Sequence, residues 1–218
     1  IKNKRPLLLV LRYWMPFMAP CMGTIARIVK KNHFTKIVAI IDNIIPHEAR
    51  FFDTCLSKYF LGSCHGFVAM SKSVLEDIGR FGNRKPRKFY PHPLYDTYGK
   101  PLSREEACQK LDLDPSFRYM LFFGFVREYK GLDILLQAFT DKRFEKLPVK
   151  LIIAGEFYTN AEPYRKMISD LNLSERIVMH NSFIRNSEVT AWFCASDIIV
   201  QPYKSATQSG VTQIAKKK

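Results

Sequence analysis

The chain has 218 residues, of which 34 are Lys or Arg and 20 are Asp or Glu, giving a formal net charge of +14; 47% of it is hydrophobic and 13% aromatic. This is the make-up of a folded globular protein, and it excludes a disordered, collagenous or coiled-coil chain. Its longest apolar stretches, such as 119–126, are far shorter than the roughly 20 residues of a bilayer-spanning helix. The positive charge is uneven, +11 over residues 1–110 and +3 over 111–218. A basic first half points to an anionic partner: phosphate, nucleic acid or a lipid surface.

In chain order, a basic polar start, Lys2-Asn-Lys-Arg5, is followed by only five apolar residues. It lacks the layout of a signal peptide, and the start reads as internal. Short β-branched and apolar runs then alternate with helical stretches, the signature of βαβ units and a parallel sheet. The predicted strands are 7–11, 36–41, 66–70, 88–90, 118–123, 149–154, 176–179 and 197–201, each reading as buried on both faces. Between them, Val74, Ile78 and Phe81 share one helix face, as do Leu132, Leu135, Leu136 and Phe139. Asn186 is the predicted N-cap of a helix carrying Val189, Trp192 and Phe193, with Glu188 near the positive end of the helix dipole.

Residues 91–116 interrupt this alternation with prolines, which continue neither strand nor helix. Within them Ser103-Arg-Glu-Glu106 has the pattern of a capping box and predicts a short helix, 103–111. The expected organisation is therefore an α/β domain over 1–98, a linker over 99–116 and a second α/β domain over 117–218. Lys216–Lys218 reads as a solvated helix end or a truncation. The five cysteines (Cys21, Cys55, Cys64, Cys108, Cys194) form an odd set with no Cys-x-x-Cys pair. That fits reduced, mostly buried thiols of a cytoplasmic protein rather than a disulfide framework or a zinc site.

The stretch richest in chemistry is Leu121-Phe-Phe-Gly-Phe-Val-Arg-Glu-Tyr-Lys-Gly-Leu-Asp-Ile-Leu-Leu-Gln-Ala-Phe139. A buried strand ends at Gly124, a short loop carries Arg127 and Lys130, Gly131 allows close backbone approach, and an amphipathic helix follows. Two cations three residues apart on such a loop can converge on a diphosphate, and in open α/β sheets these loops line the ligand crevice. The competing reading is two solvated surface cations.

Together with Lys150-Leu-Ile-Ile-Ala-Gly-Glu156, Asn172-Leu-Ser-Glu-Arg-Ile-Val-Met-His-Asn-Ser-Phe183, Ala195-Ser-Asp-Ile-Ile-Val-Gln-Pro-Tyr203 and Ser209-Gly-Val211, this stretch resembles the family-four retaining glycosyltransferases. A weaker likeness runs through 36–98, at Pro46-His-Glu48, Phe67-Val-Ala-Met-Ser71 and Tyr90-Pro-His-Pro93. The resemblance implies a GT-B fold, two Rossmann-like parallel-sheet domains facing a cleft, both incomplete here because two halves of about 100 residues are too small for that plan. It implies transfer of a sugar, with retention, from a nucleoside diphosphate donor to a hydroxyl acceptor, a glycan or a lipid-linked precursor. Arg127 and Lys130 would clamp the donor diphosphate beside Gly124. Phe183 and Ile184 would approach the nucleotide base, Phe183 reading equally as a core aromatic. Ser209, Gly210 and Val211 would open a helix toward phosphate. No metal ion and no cofactor beyond the donor is implied.

The sequence departs from the family pattern at two places. Where many members carry two glutamates eight positions apart, this chain has Ala206 and Ile214, leaving Gln208 or Gln213 as neutral substitutes. Where the family often has a histidine facing the transferred sugar it has Asp42, with His47 and Glu48 close behind; His47 is the catalytic candidate there, against a surface or core histidine. The basic first half, including Arg84-Lys85-Pro-Arg87-Lys88, reads either as a solvated surface or as peripheral docking on the anionic inner face of a membrane. A nucleotide-sugar epimerase, an inactive scaffold and a basic nucleic-acid-binding module are the alternatives. The last is disfavoured because no reader motif is present.

Overall fold

The alternation of β-branched and helical stretches becomes two separate four-stranded parallel sheets. The computed structural model describes residues 5–45, 51–81, 84–91, 98–158, 160–206 and 209–215. One unit comprises residues 1–93 with 206–209, the other 94–205 with 210–218.

The first unit runs β1 (Leu8–Tyr13), α1 (Ala19–Lys30), β2 (Lys36–Ile41), α2 (Asp53–Ser63), β3 (Gly66–Ala69), α3 (Lys72–Arg80) and β4 (Arg87–Phe89), with the strands in sequential order. Ile37, Ala39 and Ile41 alternate into a core shared with Ala26, Phe60, Phe67, Val74 and Ile78. Tyr13 is buried there, stacked on Phe60 at 4.2 Å and 3.3 Å from the Ser57 hydroxyl. Burial pushes its phenol up to about 12. Ser71 caps α3 by accepting from the Val74 N–H at 3.2 Å. The expectation that every strand is buried on both faces fails at the sheet margins. In β1, an edge strand, Leu9, Leu11 and Tyr13 turn into the core while Leu8 and Val10 are half exposed, because an edge strand has a neighbour on one side only.

The second unit runs α4 (Arg104–Lys110), β5 (Arg118–Phe123), α5 (Leu132–Ala138), α6 (Lys142–Glu145), β6 (Val149–Ala154), α7 (Glu162–Asp170), β7 (Ile177–His180), α8 (Asn186–Ala195), β8 (Ile198–Ile199) and α9 (Gly210–Ala215). Its strand order is β7-β6-β5-β8. Leu151 to Ala154 of β6 are fully buried, between α5 and α7 residues on one side and Trp192, Phe193 and Ala107 on the other. The capping box of α4 is formed: Ser103 Oγ accepts from the Glu106 N–H at 3.1 Å, and Glu106 accepts from the Ser103 N–H at 2.8 Å. β8 is shorter than the predicted 197–201. The carboxylate of Asp197 takes over its start, accepting from the Tyr119 N–H at 2.8 Å and from Arg118 at 2.6 Å.

Two local expectations are corrected. The residue capping α8 is Arg185, with Asn186 the first helical residue; Glu188 reaches back to the Arg185 N–H at 3.2 Å and to its guanidinium at 2.6 Å. The five cysteines are free, but only Cys64 and Cys108 are buried, while Cys21 and Cys55 are exposed on α1 and α2.

Gly155, just after β6, has φ +144°, and a Cβ there would run into the Gly124 carbonyl. Gly99 also has a positive φ, +90°, with no atom of the described residues within 4 Å of its missing Cβ. Gly99→Ala is therefore expected to cost about 1–2 kcal/mol, the strain of a left-handed residue alone, and Gly155→Ala clearly more, since backbone must move as well. Urea denaturation of both variants checks the ordering.

Candidate functional site

In the second sheet the chain moves from β5 to β6 to β7 and then returns to place β8 on the other side of β5. That reversal is a topological switch point, where loops leaving the carboxyl ends of neighbouring strands separate and open a crevice. The loops after β5 and β8 are joined beside it. Lys204 donates from its backbone to the Tyr129 carbonyl at 2.8 Å and from its ammonium to Asp133 at 2.8 Å. Gly131, at φ +70°, leaves no room for a Cβ against the Pro202 carbonyl. Gly124, at φ +89°, donates to the Ala154 carbonyl at 2.9 Å, and Gly155 to the His180 carbonyl at 3.0 Å. The ends of β5, β6 and β7 thus meet backbone to backbone.

A single turn, Glu128–Lys130, carries the Lys130 side chain inward. Lys130 is only 8% exposed. Its ammonium lies 3.3 Å from the position a Cβ on Gly124 would take and 5.8 Å from the centre of the Tyr203 ring. Burial, and then the neighbouring charge of Arg127, lower it from 10.5 to about 8, and among the described residues no acidic group opposes the shift. A buried ammonium without a carboxylate is costly. Arg127 is partly buried, with its guanidinium carbon 3.9 Å from the centre of the Tyr158 ring.

Beside Gly124 opens a pocket of about 250 Å³, bounded by Gly155 and Glu156 after β6, by Phe183 and Ile184 after β7, and by Tyr98 and Asn186. The β7 loop is braced: Asn181 accepts from the Phe157 N–H at 3.3 Å, and the Ser182 hydroxyl lies 2.7 Å from His180 Nε2, whose ring packs on Trp192 at 4.9 Å. Phe183 is 64% exposed, so it is not a core aromatic; Ile184 is buried in the core while its edge lines the pocket. Gly210 begins α9, and Ser209 precedes it. Val211 lies 4.0 Å from the Cβ position of Gly124. Ile214 packs against the second core, and Ala206 is exposed. His47 lies outside the described residues. Sequence reasoning passed over Glu156, the carboxylate lining the pocket, and Tyr158 and Asn186. Glu156 ends the stretch 150–156, but only the register of the β6 loop puts it at the pocket.

Residues 118–215 match the family model described as glycosyl transferases group 1. Over that stretch, most of the second unit, the chain is similar to the group 1 glycosyltransferases. It is 30% identical over 105 residues to a D-inositol 3-phosphate glycosyltransferase of Pseudarthrobacter chlorophenolicus, an alignment covering 47% of this chain and 25% of that protein. It is 26% identical over 139 residues to D-inositol 3-phosphate glycosyltransferase 1 of Catenulispora acidiphila, covering 60% of this chain and 33% of that one. The chain thus spans a quarter to a third of these relatives. Among solved structures it is similar to HepE of Anabaena in complex with UDP and glucose (TM-score 0.74, 15% identity, 98% of this chain and 58% of that one). It is also similar to sucrose-phosphate synthase of Thermosynechococcus elongatus (TM-score 0.73, 15% identity, 94% and 52%). At such identities the likeness is one of fold, the GT-B architecture of two parallel-sheet α/β domains, of which these residues cover about half.

Two outcomes follow from the buried ammonium. Its folded-state pKa is depressed, so its burial costs stability below about pH 8, and the cost is relieved as pH rises toward 10.5. Lys130→Met is therefore expected to raise the melting temperature at pH 7 while weakening pyrophosphate binding at least about tenfold. An anion needs the charged form, so pyrophosphate affinity in the native protein is expected to fall as pH rises above about 8, with no such fall in Lys130→Met. Scanning calorimetry at pH 7 reads the melting temperature, and calorimetric titration at pH 7 and pH 9.5 reads the affinities.

Proposed function

We propose that the protein transfers a sugar, with retention, from a nucleoside diphosphate donor to a hydroxyl acceptor on a glycan or lipid-linked precursor. The observation that carries this reading is the buried ammonium of Lys130 at the switch point, a cation without acidic compensation among the described residues, next to a glycine held at positive φ. In the proposed complex Lys130 and Arg127 hold the diphosphate and neutralise the charge that grows on the leaving group. The pocket beside Gly124 takes the nucleoside, with the exposed ring of Phe183 against the base and the Glu156 carboxylate accepting from ribose or sugar hydroxyls. Val211 and the start of α9 close the phosphate end. Glu156 is thereby offered in place of the acidic groups that the resemblance would put at Ala206 and Ile214.

The reading is supported by the match of residues 118–215 to the group 1 glycosyltransferase model and by the UDP complexes of HepE. In the full-length protein, UDP or GDP is expected to bind in preference to single-stranded RNA, and Lys130→Ala to lower sugar transfer at least about tenfold. Nuclear magnetic resonance of the product reads retention directly. Binding of RNA without either nucleotide sinks the proposal.

The partner surface we propose belongs to the first unit. At the end where its strands begin lie Lys30 and Lys31 closing α1, Lys36 opening β2, and Lys85. Asp42 and Asp53 lie at the other end, after β2 and at the start of α2. The field of Lys30 and Lys36 adds to burial in lowering His65. Ile28 and Phe34, 46% and 51% exposed, sit among these cations, a combination suited to an anionic lipid surface. No helix among the described residues is long and apolar enough to cross a membrane. Cosedimentation of the full-length protein with vesicles is expected to require anionic lipid, to weaken in salt, and to drop when Lys30, Lys31 and Lys36 are replaced together by Glu.

A further inference from the structure

We infer that Tyr158 is a positioning residue for Arg127, holding the guanidinium in place before a diphosphate arrives; the inference rests on the donor reading above. After β6 the chain makes a short parallel bridge to the loop after β5. Val126 donates to the Glu156 carbonyl at 2.9 Å, Tyr158 donates to the Val126 carbonyl at 3.2 Å, and Val126 pairs with Phe157. Extended backbone alternates its side chains. Val126 and Phe157 therefore turn into the core, Phe157 against Tyr164 at 5.5 Å. Phe125 and Arg127 on one segment, with Glu156 and Tyr158 on the other, turn outward together.

That register sets the Tyr158 ring under the Arg127 guanidinium, at 3.9 Å from its centre. Tyr158 is 65% exposed, so the ring is not serving the core. An arginine has much rotamer freedom to lose when it grips a ligand, and stacking on an aromatic face spends part of that loss beforehand while leaving the N–H edge open to oxygen acceptors. Lys130 needs no such device, because burial already fixes it.

The test is a set of substitutions in the full-length protein. Tyr158→Phe keeps the aromatic face, and Tyr158→Leu keeps apolar bulk without it. Tyr158→Leu is expected to weaken UDP binding about three- to fivefold, the range of a partly exposed cation–π contact. Tyr158→Phe should bind as the native protein does. Uridine, which carries no phosphate, should bind equally to all three, and the leucine effect should vanish in an Arg127→Ala background. Relaxation of the Arg127 ¹⁵Nε should report an ordered guanidinium in the native protein and in Tyr158→Phe, and a mobile one in Tyr158→Leu, without any ligand. Equal loss of UDP and uridine, persistence in Arg127→Ala, or an unchanged Arg127 relaxation overturns the inference. An ordered Arg127 in a protein that binds neither UDP nor pyrophosphate instead removes the donor reading and leaves the positioning role standing.

Discussion

The ammonium of Lys130 is held out of water with no carboxylate among the described residues to answer it, and the rest of the second unit is arranged around that fact. Desolvating a lysine is unfavourable, so the turn that carries it inward must be held by stronger things. The holding contacts are the Gly131 approach to the Pro202 carbonyl, the Lys204 bonds to Tyr129 and Asp133, and the apolar anchoring of Leu132, Leu135 and Leu136. On the proposed reading, replacing the lysine by an apolar side chain is expected to be easier on the fold and worse for anions. A site that costs the fold stability is the usual sign of a group kept for its chemistry.

The two units divide their polar chemistry differently. In the second, the buried charge is that of Lys130 in the crevice at the switch point, while the Asp197 latch that ties β8 to Arg118 and Tyr119 and ion pairs such as Arg143 with Asp141 and Arg185 with Glu188 lie at the surface. In the first, charge is superficial and gathered where the helices end and the strands begin. Cations there suit the negative ends of α1 and α2, and Lys85 bonds the last carbonyls of α2 at Leu61 and Gly62. Lys30, Lys31 and Lys36 add to that field rather than cancel it, which is the arrangement a polyanionic surface can exploit.

Much of the fold was legible in the residues. All eight strands lie where β-branched runs placed them, three of them with the same bounds, because a run such as Lys150-Leu-Ile-Ile-Ala154 buried on both faces has no other stable home. The capping box at Ser103 was legible because two side chains and two amides satisfy each other locally. The strand order was not, and with it went the reason the crevice opens beside β5. The exposure of Leu8 and Val10 escaped because hydropathy does not say which strand is an edge. At the site, Lys130 could be singled out by its loop and glycine, but not its burial. Glu156 and Tyr158 stayed hidden because their outward direction depends on a bridge between two loops that sequence spacing does not reveal.

The meeting of Gly155 with the Gly124 carbonyl also decides where this fold can diversify. Gly155 admits no side chain because its Cβ would strike the Gly124 carbonyl, and Gly124 is held at φ +89° with the Lys130 ammonium over its Cβ position, so drift or directed evolution that retunes the crevice has to leave that seam alone. The variable palette is the outward-facing set around it, Phe125, Glu156, Phe183 and Asn186, whose replacement reshapes the pocket without moving the strands beneath. A library confined to those four codons would sample new ligands on an unchanged chassis.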